Sequence, residues 1–310
     1  MSYEERPQVE ITYDKDVPED TRGVIDKSVG SLVERSTRNI SRQRTQRALH
    51  SEFRAAEKEH LRRQIEFDAE SKRAFDEAKA NLKTTELNTE LLGPSPLDEQ
   101  TLKTGDLIRF GTATKIFTTC HFAWRWETHE GPFSLSDAAT VGSPGNGGYA
   151  GISAYVNADV AHLNAHTGVG VALTVADVNS TTPVFVMGRA LRWVRHEYSV
   201  FAAPGNGDGT SEGGVELTVL ENGNFLAASP LHKIWRLRLS NAEVGSGGNL
   251  QDGFALDDPS LSVFWTMNPG STYTFNLGVW SFVDCDDGIY GNSSAYGYID
   301  SNIGFLSVFK

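Results

Sequence analysis

Two periodicities divide this chain. Between residues 24 and 92 apolar side chains recur at helical spacing: Ile25, Val29 and Leu32 first, then Leu49, Phe53 and Ala56, then Leu61 and Ile65, and finally Phe75, Ala78 and Leu82. The segment has no proline, Gly30 as its one glycine, and only Phe53, Phe67 and Phe75 as aromatic residues, so the pattern predicts a long helix. If continuous it measures on the order of 100 Å at a rise of about 1.5 Å per residue. No Gly/Pro turn lets a second helix fold back within the segment, and a lone helix of this length needs another surface for its apolar stripe. The expected surface is another copy of itself, with Ile25, Val29, Leu32, Leu49, Phe53, Leu61, Ile65, Phe75 and Leu82 as the seam. Phase slips and polar residues at Ser36, Asn39, His60, Asp68 and Lys72 interrupt that seam. The alternative is a solvated helix lying against a different protein.

The second periodicity begins after Leu91-Leu-Gly-Pro-Ser-Pro96, where Gly93 suits a helix C-terminal cap and the two prolines cannot continue the helix. Of the 30 glycines, 28 lie beyond residue 92. Strand-like runs separated by Gly, Asn, Asp and Pro clusters fall at 107–110, 115–126, 151–156, 168–175, 184–191, 194–201, 215–220, 233–239, 261–266, 272–282 and 303–309. In 272–277 polar Thr272, Thr274 and Asn276 alternate with apolar Tyr273, Phe275 and Leu277, as a strand with one buried face requires. The expected architecture is multi-domain: an arm at 1–22, a helical coiled-coil stalk at 23–92, and a mainly β jelly-roll or sandwich head at 93–310.

Charge and cysteine content narrow the function classes. A net charge of -12 argues against a general nucleic-acid binder. The block Arg35, Arg38, Arg42, Arg44 and Arg47 lacks interleaved aromatics and reads as a charged helix face. Cys120 and Cys285 are too few for a disulfide framework, and buried free thiols are expected. Neither a secretory h-region nor a run of about 18 apolar residues is present, so no signal peptide and no membrane insertion are expected. Synthesis in a host cytoplasm follows.

The closing segments Thr272-Tyr-Thr-Phe-Asn-Leu-Gly-Val-Trp280, Gly291-Asn-Ser-Ser294, the aromatic alternation at 296–298 and Ile303-Gly-Phe-Leu-Ser-Val-Phe309 resemble the last strands of the jelly-roll knobs of bacteriophage fibres and of the related C1q/TNF-like trimeric heads. The resemblance covers about the last 40 residues. It implies a homotrimeric structural virion protein in which residues 1–22 attach to other virion proteins. A distal knob would then hold a host-surface glycan or protein by avidity. A head decoration or neck fibre without a host ligand is the alternative within the particle.

Candidate chemistry is sparse. Asp284, Asp286 and Asp287 gather carboxylates as a Ca²⁺ site would, or form a plain surface turn; no other cofactor is expected. His162 and His166 lack the third ligand of a zinc site. Trp124 and Trp126 share a strand face and either pack in a core or stack on a sugar. His121, Glu127, His129 and Glu130 cluster beside them. The glycine-rich 142–148 and 205–209 lack the strand-to-helix setting of phosphate loops, so Asn146, Asn206 and Asp208 are candidates for partner binding from exposed loops. A non-enzymatic role is the expectation. Its rival is a polysaccharide-cleaving enzyme using pairs such as Asp257-Asp258 and Glu127/Glu130.

Overall fold

A computed structural model of the chain describes residues 7–81, 114–130, 136–146, 148–157, 161–249, 254–255, 261–289 and 291–310. In chain order the elements are β1 (Glu10–Tyr13), α1 (Glu19–Phe67), α2 (Ala69–Asn81), β2 (Lys115–Phe117), β3 (Thr119–Cys120), β4 (Phe122–Glu130), β5 (Ser136–Ser143), β6 (Gly145–Asn146), β7 (Tyr149–Val156) and β8 (Ala161–Leu173). They continue with β9 (Val184–Phe201), β10 (Asp208–Glu221), β11 (Asn224–Ala228), β12 (His232–Ser240), β13 (Val244–Asn249), β14 (Phe254–Ala255), β15 (Ser262–Met267), β16 (Tyr273–Asp286) and β17 (Ser294–Phe309). The predicted runs 184–191 and 194–201 are one continuous strand, β9, while β5 and β13 went unpredicted because their serines, alanines and glycines carry no apolar alternation. The run at 107–110 lies outside the described residues.

Among the described residues every strand pairing is antiparallel. The first sheet runs β1-β4-β8-β16-β10, with β11 and β12 sharing the far edge of β10. The second runs β5-β7-β17-β9, with β13, β14 and β15 sharing the far edge of β9. Strip away the outer additions and two orders remain, β7-β17-β9-β15 and β8-β16-β10-β12. Numbering these eight strands along the chain gives 1-8-3-6 and 2-7-4-5, the wrap of a jelly roll. The closing strands β16 and β17 therefore sit in the centres of the two sheets, each bonded on both sides.

Between the sheets lies the main core, in which Ile152, Leu163, Val169, Val171, Leu217, Phe275, Leu277, Ile299, Ile303 and Leu306 are buried. Many of the glycines that suggested turns lie in strands, beneath rings. A Cβ at Gly168 would stand 2.7 Å from the Trp124 ring and 2.6 Å from the Leu277 carbonyl; one at Gly170 would meet Phe122 at 2.6 Å. Gly188 accommodates Phe275 and Trp265, and Gly213 lies under Trp235. Large rings laid flat across neighbouring strands need positions without side chains.

The expected separate stalk is corrected by the packing of α1. Ile25 and Val29 are fully buried, and with Val17, Leu32 and Val33 they form a second core against Phe122, Trp124, Trp126 and Leu220 on the outer face of the first sheet. The stripe that suggested self-association thus has its partner inside the chain; an apolar face reads the same in sequence whichever surface receives it. Further along, Phe53 and Phe67 are exposed and Leu61 is partly buried. No coiled-coil seam is evident among the described residues; Leu82 and the side chains of Leu49, Ile65 and Phe75 fall outside them. At Asp68 the helix breaks. Its carboxylate accepts hydrogen bonds from the backbone N–H groups of Glu70 and Ser71, starting α2, and its pKa is lowered, chiefly by the Ser71 hydroxyl. Residues 10–13, read as part of an attachment arm, pair with β4 as the edge of the first sheet.

On the outer face of the second sheet, Arg195 holds fully buried Asp300 through two bonds of 3.0 and 2.6 Å, and the Tyr298 hydroxyl donates to the same carboxylate at 2.7 Å. Replacing Asp300 with Ala removes the buried guanidinium's carboxylate and should lower unfolding free energy by about 3–5 kcal/mol in urea titration. Because α1 covers an aromatic face, the fragment 93–310 should aggregate or expose Trp124 and Trp126 to quenchers, whereas the full chain should not.

Candidate functional site

Three turns converge at one end of the sandwich, joining β9 to β10, β12 to β13, and β16 to β17. The first two turns use positive φ, at Gly205 (80°) and Asn206 (64°) in the first and at Asn241 (51°) and Ala242 (70°) in the second; glycine and asparagine adopt it readily, alanine does not. The side-chain carbonyl of Asn241 accepts from the backbone N–H groups of Gly205 and Asn206 at 3.2 and 3.4 Å, and the backbone N–H of Asn241 donates to the Gly207 carbonyl at 2.8 Å. The third turn is tied in by Ile289 N–H to the Gly205 carbonyl, 3.0 Å, and by the Ser293 hydroxyl, which accepts from Ala203 N–H at 3.0 Å and donates to the Asp286 carbonyl at 2.7 Å. A Cβ at Gly288 would lie 2.0 Å from the Pro204 carbonyl. The result is a cross-braced cluster.

Five of the predicted site residues other than the tryptophans belong to this end. Asn206 is pinned to Asn241, and Asp208 opens β10 facing Arg238 at 3.7 Å. Asp286 pairs with Lys58 of α1, and Asp287 turns away to accept from Ser293 N–H at 2.6 Å. Asp284 shares a strand face with Asp286, two residues along β16, and stands beside Thr210 in register. The carboxylates of Asp286 and Asp287 thus have different partners, and among the described residues no group of three His, Cys, Asp or Glu could hold a metal ion. The Ca²⁺ expectation has no convergent geometry. Next along this face, Glu212 is held by Lys233 and, at 2.8 Å, by Arg236. Opposite charges on adjacent strands form a ladder rather than an open acidic patch. Asn146 lies in β6, paired with Thr119 and remote in sequence from these turns; its side chain is outside the description.

The other predicted residues lie beneath α1. Trp124 and Trp126 are 5% and 2% exposed, so neither offers a face to a sugar. Trp126, His166 and Trp280 share one rung across β4, β8 and β16. The His166 ring stacks on Trp126 with centroids 4.1 Å apart and planes 11° from parallel, and its Nε2 stands 3.3 Å from Ser36 Oγ and 3.2 Å from Asn164 Oδ1. Desolvation beneath the helix, reinforced by the Arg35 charge, pushes its pKa down to about 3. A histidine so held stays neutral near pH 7 and is poorly placed as a general base. Arg35 in turn bonds Glu216 at 2.8 and 3.2 Å and lies over Phe225. His162 occupies the same face four residues earlier, beside Phe282.

Sequence reasoning missed Asn241, Ser293 and the Arg35–Glu216 pair. Only the Ser240-Asn-Ala-Glu243 turn carried a signal, an Asn suited to positive φ. Of the acid–base candidates, His129 Nε2 lies 3.0 Å from Glu127, and His121 Nδ1 accepts from Ala172 N–H at 3.0 Å. Asp257 and Asp258 lie outside the described residues. Both cysteines are buried, and burial raises the Cys120 pKa to about 12, which leaves the thiol inert.

No protein-family model matches the chain, and no curated protein does. Among solved structures, matches include one from the Gx strain of infectious bursal disease virus, at 9% identity and TM-score 0.15, covering 63% of this chain and 67% of that one. A mutant VP2 protein of the same virus, in derived T=1 particles, matches at 9% identity and TM-score 0.16, covering 61% and 64%. Likenesses this distant carry no argument about fold or function. Among the described residues no helix is long and apolar enough to cross a membrane.

Ala242 is the one non-glycine, non-asparagine residue at positive φ among those described. Ala242→Gly should stabilise the chain by about 1 kcal/mol in urea titration, since the strain of that backbone is worth roughly that much.

Proposed function

We propose that the chain is a structural, non-catalytic protein of a virus particle, homotrimeric, whose jelly roll holds a host-surface glycan or protein through its braced loop end. The observation that carries this reading is the position of β16 and β17. The segments that resemble the closing strands of trimeric fibre knobs are the central strands of both sheets, so the resemblance falls on the organising part of the fold. The jelly roll is an architecture used by viral capsid and lectin domains. Its braced turns suit recognition, because a loop already ordered by Asn241 and Ser293 loses little freedom on binding. Trp124 and Trp126, covered by α1, have no face free for a sugar, and contact falls to the turn around Asn206 and its neighbours.

The test uses the full chain. Native mass by light scattering should be about three times the chain mass. Binding to host cells or purified surface polysaccharide should be saturable, and should fall at least tenfold when Asn206 and Asn241 are both replaced by Asp. A trimer that binds no host surface would make the protein a decoration or neck component. A monomer, or cleavage of the polysaccharide, would overturn the proposal.

A further inference from the structure

Along its course over the first sheet, α1 changes the way it is held. Up to Val33 the contacts are apolar and deep: Ile25, Val29, Leu32 and Val33 meet Phe122, Trp124, Trp126 and Leu220. Ser31 adds a bond to the Gly223 carbonyl at 2.6 Å. Beyond Val33 the contacts shown by described side chains are of another kind. Arg35 pairs with Glu216 and covers Phe225, Ser36 meets His166, and Lys58 reaches Asp286 at the loop end. Phe53 and Phe67, 69% and 91% exposed, do not touch down.

We propose that residues 35–67 of α1 form a strap latched to the jelly roll by Arg35–Glu216, Ser36–His166 and Lys58–Asp286, which mild acid releases while residues 19–33 stay docked. The hinge is the point where apolar packing ends. On the helix-facing side, the charged groups around His166 among the described residues are Arg35 from α1 and Glu216 from β10. There β4 presents Trp126 and Thr128, β16 presents Trp280 and Phe282, and β8 itself presents Asn164 and His162. With the strap closed, His166 cannot take up a proton without placing it beside Arg35 in a desolvated site. With the strap open, the imidazole faces water and titrates near its ordinary 6.5. The open form therefore binds a proton that the closed form excludes. Opening is favoured as pH falls from about 6.5 toward about 3, close to tenfold per pH unit within that window. A freed strap loses the tertiary contacts from which most helical stability in a protein comes, and frays.

Hydrogen exchange of the full chain, read by mass spectrometry and corrected for intrinsic rates, tests this. Between about pH 7 and pH 5, exchange in residues 35–67 should rise roughly 20-fold, while residues 19–33 keep their protection. His166→Gln should flatten that slope. Asp286→Asn should speed exchange in residues 53–67 at every pH and leave the slope intact. The proposal fails if both halves of α1 exchange together, if residues 35–67 show no pH slope, or if the slope survives in His166→Gln. Should His166→Gln not fold, the wild-type slope and its confinement to 35–67 decide the matter. The outcome is independent of whether the protein binds a host surface.

Discussion

The docking of α1 on the outer face of the first sheet is the interaction on which the rest of the structure depends. A sheet in a sandwich ordinarily buries one face and wets the other. Here β4, β8 and β16 are covered on both, by the second sheet on one side and by α1 on the other. That demand explains the composition of β4, whose Phe122, Trp124 and Trp126 all point toward the helix. It also explains why β1 belongs to the sheet, since it enters the helix through Val17 and closes the edge beside the same aromatic row. Each fully buried aliphatic side chain of the helix contributes on the order of 1.5–3 kcal/mol. Four or five of them suffice to make the helix an integral layer.

Aromatic rings of this size cannot lie on a sheet whose every position carries a side chain. The glycines of β8, β10 and β16 resolve the conflict: Gly168 and Gly278 make room for Trp124, Gly170 for Phe122, and Gly213 for Trp235. Glycine weakens a strand by its entropy, so in isolation these strands would be poor ones. Rings from the neighbouring strands recover part of that loss by burying over the bare backbone. Fold and composition are thus coupled across strands, and no single strand explains its own glycines.

That coupling sets what could be read from the chain. The β character of the second part, the burial of the two cysteines and the alternation of the closing strands were legible, because each depends on local pattern. The destination of the helical stripe was not, since Ile25, Val29 and Leu32 have the same spacing whether they face a copy or a sheet 90 residues away in sequence. Nor were the in-strand glycines, which local rules assign to turns, or the ion pairs Arg35–Glu216 and Arg195–Asp300, which join residues 181 and 105 positions apart. At the loop end, clusters of Gly, Asn and Asp announced turns correctly, but which side chain braces which turn is a property of their meeting in space.

The two ends of α1 show how one helix can serve two purposes. Burial of an apolar stripe is insensitive to pH and to moderate salt, whereas ion pairs and a desolvated imidazole respond to both. A helix anchored by the first kind of contact and steered by the second keeps its origin while its far end remains adjustable. Lys58 lands on Asp286, whose backbone carbonyl is also held by Ser293 in the braced turns. Through that one residue, the position of the strap and the order of the loop end share a contact. Any partner that competes for the Asp286 carboxylate therefore acts on the helix, and any change that lifts the helix alters the charge presented by the loops.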